Sequence, residues 1–348
     1  MTEIFRTAIR WLRSDNPKSK IQNLKWDGIV AIVVTFSMCG AVAQAQQQGK
    51  VSKLGWLSPL SLASDVQLES LVRELRALGY VEGKNITKDY RHADNKLDRL
   101  PALAEELVGL KVDVLVVFST TAALALRNAT KTIPIIFFNV SDPVAIGLID
   151  SLARPGGNIT GITNIVAMLS GKRLELLKET VPKLSRVAVL WNPQDQASAQ
   201  QWKESQLPAQ ELGLQLNSIE VSRADRYEDA FKDAIKARST TLSVTQHSLA
   251  LSNRKQIADL ATKNRLPAIY GRRDFVDSGG MMSYGDDQAE LYRRVAVFVD
   301  KILTGTKPAD IPVEQPKKFE FIINLKTAKQ IGLTIPPNVL ARADKVIR

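Results

Sequence analysis

The sequence predicts an α/β fold with two doubly wound parallel-sheet halves, and three observations predict it. Short runs rich in β-branched and aromatic residues alternate with segments apolar at helical spacing from residue 51 to residue 303. Two of the runs, 114–118 and 133–140, are near-continuous rather than alternating, the pattern of strands buried on both faces. Those two runs end in small polar residues, Ser119-Thr120-Thr121 and Ser141-Asp142. In an open parallel sheet that edge is where ligands bind, because helix starts there offer unpaired N–H groups and a partial positive charge.

The first half opens with a strand over 51–57 that closes at Ser58-Pro59. A helix over 65–78 carries Val66, Leu68, Leu71, Val72, Leu75 and Leu78 on one face and stops at Gly79. A strand over 85–90 and a helix over 98–110 follow; Pro101 falls in its first turn, where a missing N–H costs little. After the two buried runs come a helix over 145–152, a turn over 154–158 and a short strand over 159–163. The second half reads as a helix over 170–181, a strand over 185–191 ending at Asn192-Pro193, and a helix over 197–212 that Pro208 should kink or break. A strand over 214–221, a helix over 227–238 and a strand over 240–245 come next, then Gln246-His247-Ser248. Helix 253–264, strand 267–270, the Gly279-Gly280 turn, strand 281–284 and helix 289–303 complete the alternation. The tail, 306–348, holds Pro-rich connectors, an apolar run at 319–323 and a helix over 325–331. Two such halves set two strand-end edges opposite one another across a cleft.

At 348 residues the chain has room for two domains, and 45% hydrophobic against 24% charged residues leaves a sizeable core. The net charge is +11, yet no helix-turn-helix, zinc-finger or aromatic-plus-basic pattern points to nucleic acid. A solvated basic face accounts for it. The only cysteine, Cys39, lies in the apolar N-terminal stretch, and His92 and His247 are the only histidines. Metal centres and histidine-based triads are therefore not expected, nor is a cofactor. Residues 1–27 are basic, 28–43 apolar, and Ala43-Gln44-Ala45 is a small-x-small site, so 1–45 reads as a signal peptide cleaved before Gln46. An uncleaved anchor is the competing reading, since the leading basic region is long; Phe36-Ser37-Met38-Cys39 fits a lipoprotein box poorly.

Each candidate site residue has two readings. Ser119, Thr120 and Thr121 either hold a ligand carboxylate or only cap a helix, as does Ser141; Ser58 ends the first strand in the same way. Asp142 either pairs with an ammonium group or caps. Asn192 either donates an amide hydrogen bond or shapes a turn before Pro193. Trp56, Phe118, Trp191 and Tyr270, at or near strand ends, either stack on a flat ligand or fill the core. His247 reads as an exposed loop histidine. With no basic residue near the first-half strand ends, hydroxyls and backbone dipoles would carry the negative charge of a small carboxylate-bearing solute, an amino acid or aromatic acid.

Six blocks in order resemble one family: Gly79-Tyr80-Val81-Glu82-Gly83-Lys84-Asn85, Arg99-Leu100-Pro101, Ser141-Asp142-Pro143-Val144, the stretch from Arg154 to Gly161, the stretch from Gly279 to Gly285, and FEFIINLKTAKQIG at 319–332. They look like the substrate-binding proteins of ABC-type importers, in the subfamily whose relatives bind aromatic amino acids. The resemblance implies a periplasmic-binding-protein fold with three crossovers and a hinge, near 161–163, 283–285 and 312–318. Lobe 1 would then be 51–162 plus 285–315, and lobe 2 would be 163–284 plus 316–348. Thr163 and Tyr284 fall at crossings and would line the cleft. The resemblance also implies a monomer working in the periplasm with a small-molecule ligand and an ABC permease of the inner membrane. After Val244 the family's Asp-Pro-aromatic run is replaced by Gln246-His247-Ser248-Leu249, and Gly271 stands where an acidic residue is usual, which puts ligand identity in doubt.

An enzyme on the same layered fold is disfavoured, because Gly55-Trp56-Leu57-Ser58 is no dinucleotide fingerprint and neither a P-loop nor G-x-S-x-G is present. A ligand-sensing domain of a membrane-anchored receptor is the alternative if the N-terminal segment stays attached. N-terminal sequencing of the protein from its native envelope should begin at Gln46; an intact Met1 or Thr2 would select the anchored form.

Overall fold

The computed structural model describes residues 51–348; the proposed signal peptide lies outside them. A five-stranded sheet, ordered β2-β1-β3-β4-β5, is wholly parallel. Its strands are β1 (Ser52–Ser58), β2 (Ile86–His92), β3 (Val114–Phe118), β4 (Ile135–Ser141) and β5 (Ile159–Asn164). Helices α1 (Val66–Ala77), α2 (Leu100–Gly109) and α3 (Thr120–Ala129) connect them. All five residues of β3 are buried. Val114, Val116 and Phe118 join one apolar cluster with Leu68, Leu71 and Leu75 of α1, while Leu115 and Val117 join another with Leu103, Leu107 and Leu126 of α2 and α3. Each such side chain is worth about 1.5–3 kcal/mol when fully buried, so double-sided burial fixes the strand.

The second sheet has seven strands, β12-β11-β10-β9-β8-β6-β7. These are β6 (Arg186–Trp191), β7 (Gln215–Glu220), β8 (Thr241–Val244), β9 (Ala268–Tyr270), β10 (Met282–Asp286), β11 (Phe319–Asn324) and β12 (Lys345–Ile347). Its helices are α4 (Ser170–Thr180), α5 (Gln196–Glu211), α6 (Tyr227–Lys236), α7 (Ser248–Ser252), α8 (Arg254–Lys263) and α9 (Arg273–Asp277). From β6 to β10 neighbours are parallel; β11 pairs antiparallel with β10, because the chain returns from the other sheet before forming it. That excursion is α10 (Gln288–Leu303), which packs on α1 and on β3, β4 and β5. The connector after it runs beside β5: Thr160 Oγ1 donates to the Ile311 carbonyl at 2.7 Å, and the Thr163 N–H donates to the Glu314 carbonyl at 2.9 Å. Helices α11 (Leu325–Gln330) and α12 (Pro337–Leu340) close the chain.

Two expected elements differ. Residues 145–152 form turns rather than a helix, since Asp142 and Gly147 both adopt positive φ (40° and 66°) and Pro143 follows the first of them. Leu148 and Ile149 nevertheless bury, which explains their apolar spacing. Pro208 does not break α5, which runs through it, and its ring packs close to Gly171 of α4.

Gly285 in β10 passes so near residue 271 that a Cβ there would overlap the Gly271 carbonyl oxygen. Gly285→Ala should therefore lower stability by at least about 1–3 kcal/mol in urea unfolding. A wild-type midpoint would contradict this close approach.

Candidate functional site

The strand ends of the two sheets face one another across a cleft. Its inner cavity, about 30 Å³, is lined from the first sheet by Phe118, Ser119, Thr120, Thr121, Asn139 and Asn164, and from the second by Asp195, Gln196, Gln201, Gln246, His247 and Ser248. An outer cavity of about 490 Å³ adjoins it through Thr120, Asn164, Gln196 and Ala197, and adds Ser141, Asp142, Thr163 and Glu204. The larger volume falls within the range of small-molecule sites, about 300–1,000 Å³. Among the described residues, no lysine or arginine lines either cavity.

On the first sheet, burial drives β3 to its end at Phe118, and the chain turns sharply into α3. Ser119 makes that turn with φ 86° and caps α3 through a long 3.5 Å bond from the Ala122 N–H. A non-glycine residue at positive φ is strained, and such strain gathers at ligand sites. Thr120 follows, buried, its Oγ1 without a hydrogen-bond partner among the described residues. In β4 the register with β5 slips between Phe138 and Val140, leaving Asn139 as the extra residue with φ 58°. A bulge re-aims a side chain. Asn139 is only 6% exposed and lines the inner cavity, yet neither its Oδ1 nor its Nδ2 has a partner among the described residues.

On the second sheet, Asp195 caps α5 by accepting from the Ser198 N–H at 2.8 Å. Burial pushes its carboxyl above the ordinary aspartate range, although the N–H groups of Ser198 and Ala197 pull the other way. Gln201 is fully engaged, donating to the Ala197 and Gln246 carbonyls at 3.1 and 2.9 Å and accepting from the Gln246 N–H at 2.8 Å. His247 is buried, not the exposed loop residue expected from sequence, because its ring turns inward to cap α7. Its Nδ1 accepts from the Ala250 N–H at 3.3 Å, so Nε2 carries the proton and is a donor without a partner. Burial lowers its pKa to about 3.

The other expected site residues are placed as follows. Ser141 donates to Asn164 Oδ1 at 3.0 Å, Thr163 to the Val140 carbonyl at 2.7 Å, and Asp142 accepts from the Ala145 N–H at 3.1 Å. Ser58 is buried away from both cavities and accepts from the Leu60 N–H at 3.2 Å. Asn192 is spent on its turn, its Oδ1 accepting from the Gln194 N–H at 3.0 Å. Tyr270 is fully buried and stacked on Phe275, ring centres 4.6 Å apart, and Tyr284 packs against Phe319 and Phe321. Neither ring reaches the inner or outer cavity. Trp56 and Phe118 both pack on Phe138, and Trp191 stacks on Trp202. Asn139, Asp195 and His247 were not chosen from sequence. The available signal for Asn139 was a lone amide inside an otherwise apolar run.

Behind the cleft, where β10 leaves the second sheet, Asp286 lies buried near Arg173 and Arg272. Burial raises its pKa to about 6, and the two arginines hold the rise back. Arg272 donates to Asp274 at 2.7 Å and, across to α10, to the Tyr292 hydroxyl at 3.3 Å. Ser252 likewise reaches from α7 to Asn95, 3.0 Å away on the first-sheet side.

Residues 62–347 match the family model described as ABC transporter substrate binding protein. A tyrosine-binding protein from Clostridioides difficile (strain R20291) is 29% identical over 269 residues, 77% of each chain. Among solved structures, a conserved domain protein from Vibrio cholerae O1 biovar eltor is 30% identical with a TM-score of 0.79, over 85% of this chain and 100% of that one. An ABC domain in complex with L-Trp from Streptococcus pneumonia is 25% identical with a TM-score of 0.75, covering 84% and 100%. A ligand-free, open substrate binding protein from Clostridium difficile, 26% identical, scores 0.61 over 86% and 99%. The chain belongs to the ABC transporter substrate-binding protein family and serves solute capture for ABC import. Among the described residues no helix is long and apolar enough to cross a membrane.

His247 sets a pH signature. Its folded pKa, about 3, lies below the ordinary 6.5, so between those values the unfolded chain binds a proton that the native chain refuses. That part of the stability is complete above pH 6.5 and declines as pH falls, by about 1.4 kcal/mol per unit. Asp286 works oppositely: its raised pKa stabilises the native state at low pH, and the contribution is lost as pH rises through about 6. Relative to wild type, His247→Gln should gain about 2 kcal/mol in urea unfolding between pH 7 and pH 5. A pH-independent difference would mean that the ring is solvated.

Proposed function

We propose that this protein captures a small carboxylate-bearing solute, an amino acid or an aromatic acid, in the cleft between its two sheets. The observation that carries this reading is the convergence of three buried, unpartnered groups on one cavity: Thr120 Oγ1, the Asn139 amide and His247 Nε2. Burying a polar group without a partner costs about 1–3 kcal/mol, so three in one place call for a partner from outside. All three can donate. The start of α3 adds free N–H groups, with Ser119 and Thr121 beside it. Ser141, Asp142 and Thr163 line the outer cavity and would meet the rest of the solute. The relatives that bind tyrosine and L-Trp support an aromatic amino acid.

Two lobes, 51–162 with 285–315 and 163–284 with 316–348, would close on the solute about the 161–163, 283–285 and 312–318 crossings. The higher TM-score against the L-Trp complex than against the open structure, at nearly equal identity, fits a closed arrangement here. The protein acts as a monomer in the periplasm, exported by residues 1–45. It delivers its solute to an ABC permease without chemical change.

Thr120→Val tests the site with little change of shape. Calorimetry against tyrosine, tryptophan and aromatic acids should show binding weakened about tenfold to a hundredfold, the worth of one hydrogen bond to a charged group. The ligand-free melting temperature should hold or rise, since the hydroxyl has no partner to lose. Wild-type affinity in this variant, or a neutral sugar as the native ligand, would refute a carboxylate held at this end.

A further inference from the structure

We propose that Asp195 is the anchor for a ligand ammonium group, so that the cleft selects zwitterionic amino acids over acids that lack the amine. This rests on the carboxylate reading above and narrows it.

Asp195 lines the inner cavity together with Asn139 and His247, both over nine-tenths buried and both with unpartnered polar atoms. Those atoms make the cavity a binding site independently of any helix end. Asp195 itself accepts only from backbone N–H groups at the start of α5, from Ser198 at 2.8 Å to Oδ1 and from Ala197. Among the described residues no lysine or arginine lines the cavity, and burial keeps His247 neutral. Its carboxyl is raised by burial without any cationic neighbour to offset it, as expected of an acid set in a poorly solvated place.

Charge balance then decides between ligand classes. A solute carrying only a carboxylate would place a second negative charge in a small cavity that already holds one and contains no cation. Like charges so placed repel strongly where water is scarce. A zwitterion puts its carboxylate among the donors of Thr120, Asn139 and His247 and its ammonium toward Asp195. Gln201 cannot substitute for the acid, because its amide is fully used in binding the Ala197 carbonyl and the 246 backbone; the Gln246 amide carries no charge to pair with an ammonium.

A simple cap is the bland alternative, and one substitution separates the two. Asparagine caps as well as aspartate but carries no charge. The full chain and its Asp195→Asn variant are titrated calorimetrically with three probe sets: the amino acids, their desamino acids, and the corresponding amines such as tyramine. Wild type should prefer one or more amino acids to their desamino forms by at least about thirtyfold, the loss expected when one partner of a buried charge pair is removed. In Asp195→Asn that preference should vanish while the desamino acid binds as well or better, and the melting temperature should stay within a degree or two. Asp195→Ser, another cap without charge, should behave alike. If wild type binds desamino acids as tightly as amino acids, or the variant keeps the preference, the ammonium anchor is refuted and the carboxylate reading stands. If amines lacking a carboxylate bind and the variant loses them, the anchor stands and the carboxylate reading falls. Binding of no probe in any set overturns both.

Discussion

A parallel sheet buried on both faces can show polar groups only where its strands stop. Everything in this structure that bears on function follows from that restriction. The interior positions of β3 and β4 are committed to packing: Val114–Phe118 and most of 135–140 are sealed under helices on either side. Hydroxyls, amides and helix N-termini are therefore displaced to one edge. The second sheet obeys the same rule. Setting the two edges face to face creates a volume where polar atoms of both are shielded from water yet cannot all satisfy one another. Thr120, Asn139 and His247 are the atoms left over.

The broad fold was legible because it depends on patterns that survive averaging. Continuous apolar runs mark double-sided strands, and 3.6-residue spacing marks α1, where Leu68, Leu71 and Leu75 of the expected stripe bury while Leu78 past its end stays exposed. Exceptions arose where backbone conformation overrode spacing. Residues 145–152 have the apolar content of a helix, but positive φ at Asp142 and Gly147 folds them into turns. The strand-end placement of Ser119 and Thr120 was legible for the same reason as the fold. Asn139 shows in sequence only as a lone amide in an apolar run, because the bulge that aims it is a property of the pairing between β4 and β5. Asp195 and His247 belong to stretches that sequence places in loops before helices, where capping is the ordinary expectation. Only the facing sheet turns capping residues into cavity walls. Tyr270 illustrates the converse: an aromatic at a strand end is near the cleft in sequence logic, but Phe275, five residues later, claims its ring for the core.

Apolar residues of both halves meet in one buried cluster, with Phe118 and Phe138 from the first and Leu251 and Tyr270 from the second, and polar bridges join them as well. Arg272 to Tyr292 and Ser252 to Asn95 are such bridges, both between side chains. Polar bridges of this kind exchange readily with water, unlike apolar interfaces that must expose surface to separate. The close approach of Gly285 to Gly271 and the buried Asp286 between two arginines place the stiffest packing near the crossing itself.

Under the proposed function, these features would make closure and binding one equilibrium. In the closed arrangement the unpartnered groups of Thr120, Asn139 and His247 each cost about 1–3 kcal/mol, several kcal/mol in sum. Opening the cleft returns those atoms to water and recovers most of that cost. A protein without solute thus gains by opening, and one whose solute supplies the missing hydrogen bonds gains by staying shut. A ligand shifts such an equilibrium only by its difference in affinity for the two states, and these atoms are where that difference resides. A difference of about 5.5 kcal/mol moves a population from 1:99 to 99:1, and two or three such hydrogen bonds with a charged group are of that size. Replacing the unsatisfied groups with apolar ones would stabilise the closed form with no solute inside. It would also remove the means by which an importer distinguishes a loaded carrier from an unloaded one. The polar atoms left without partners are, on this argument, what makes closure report on the solute.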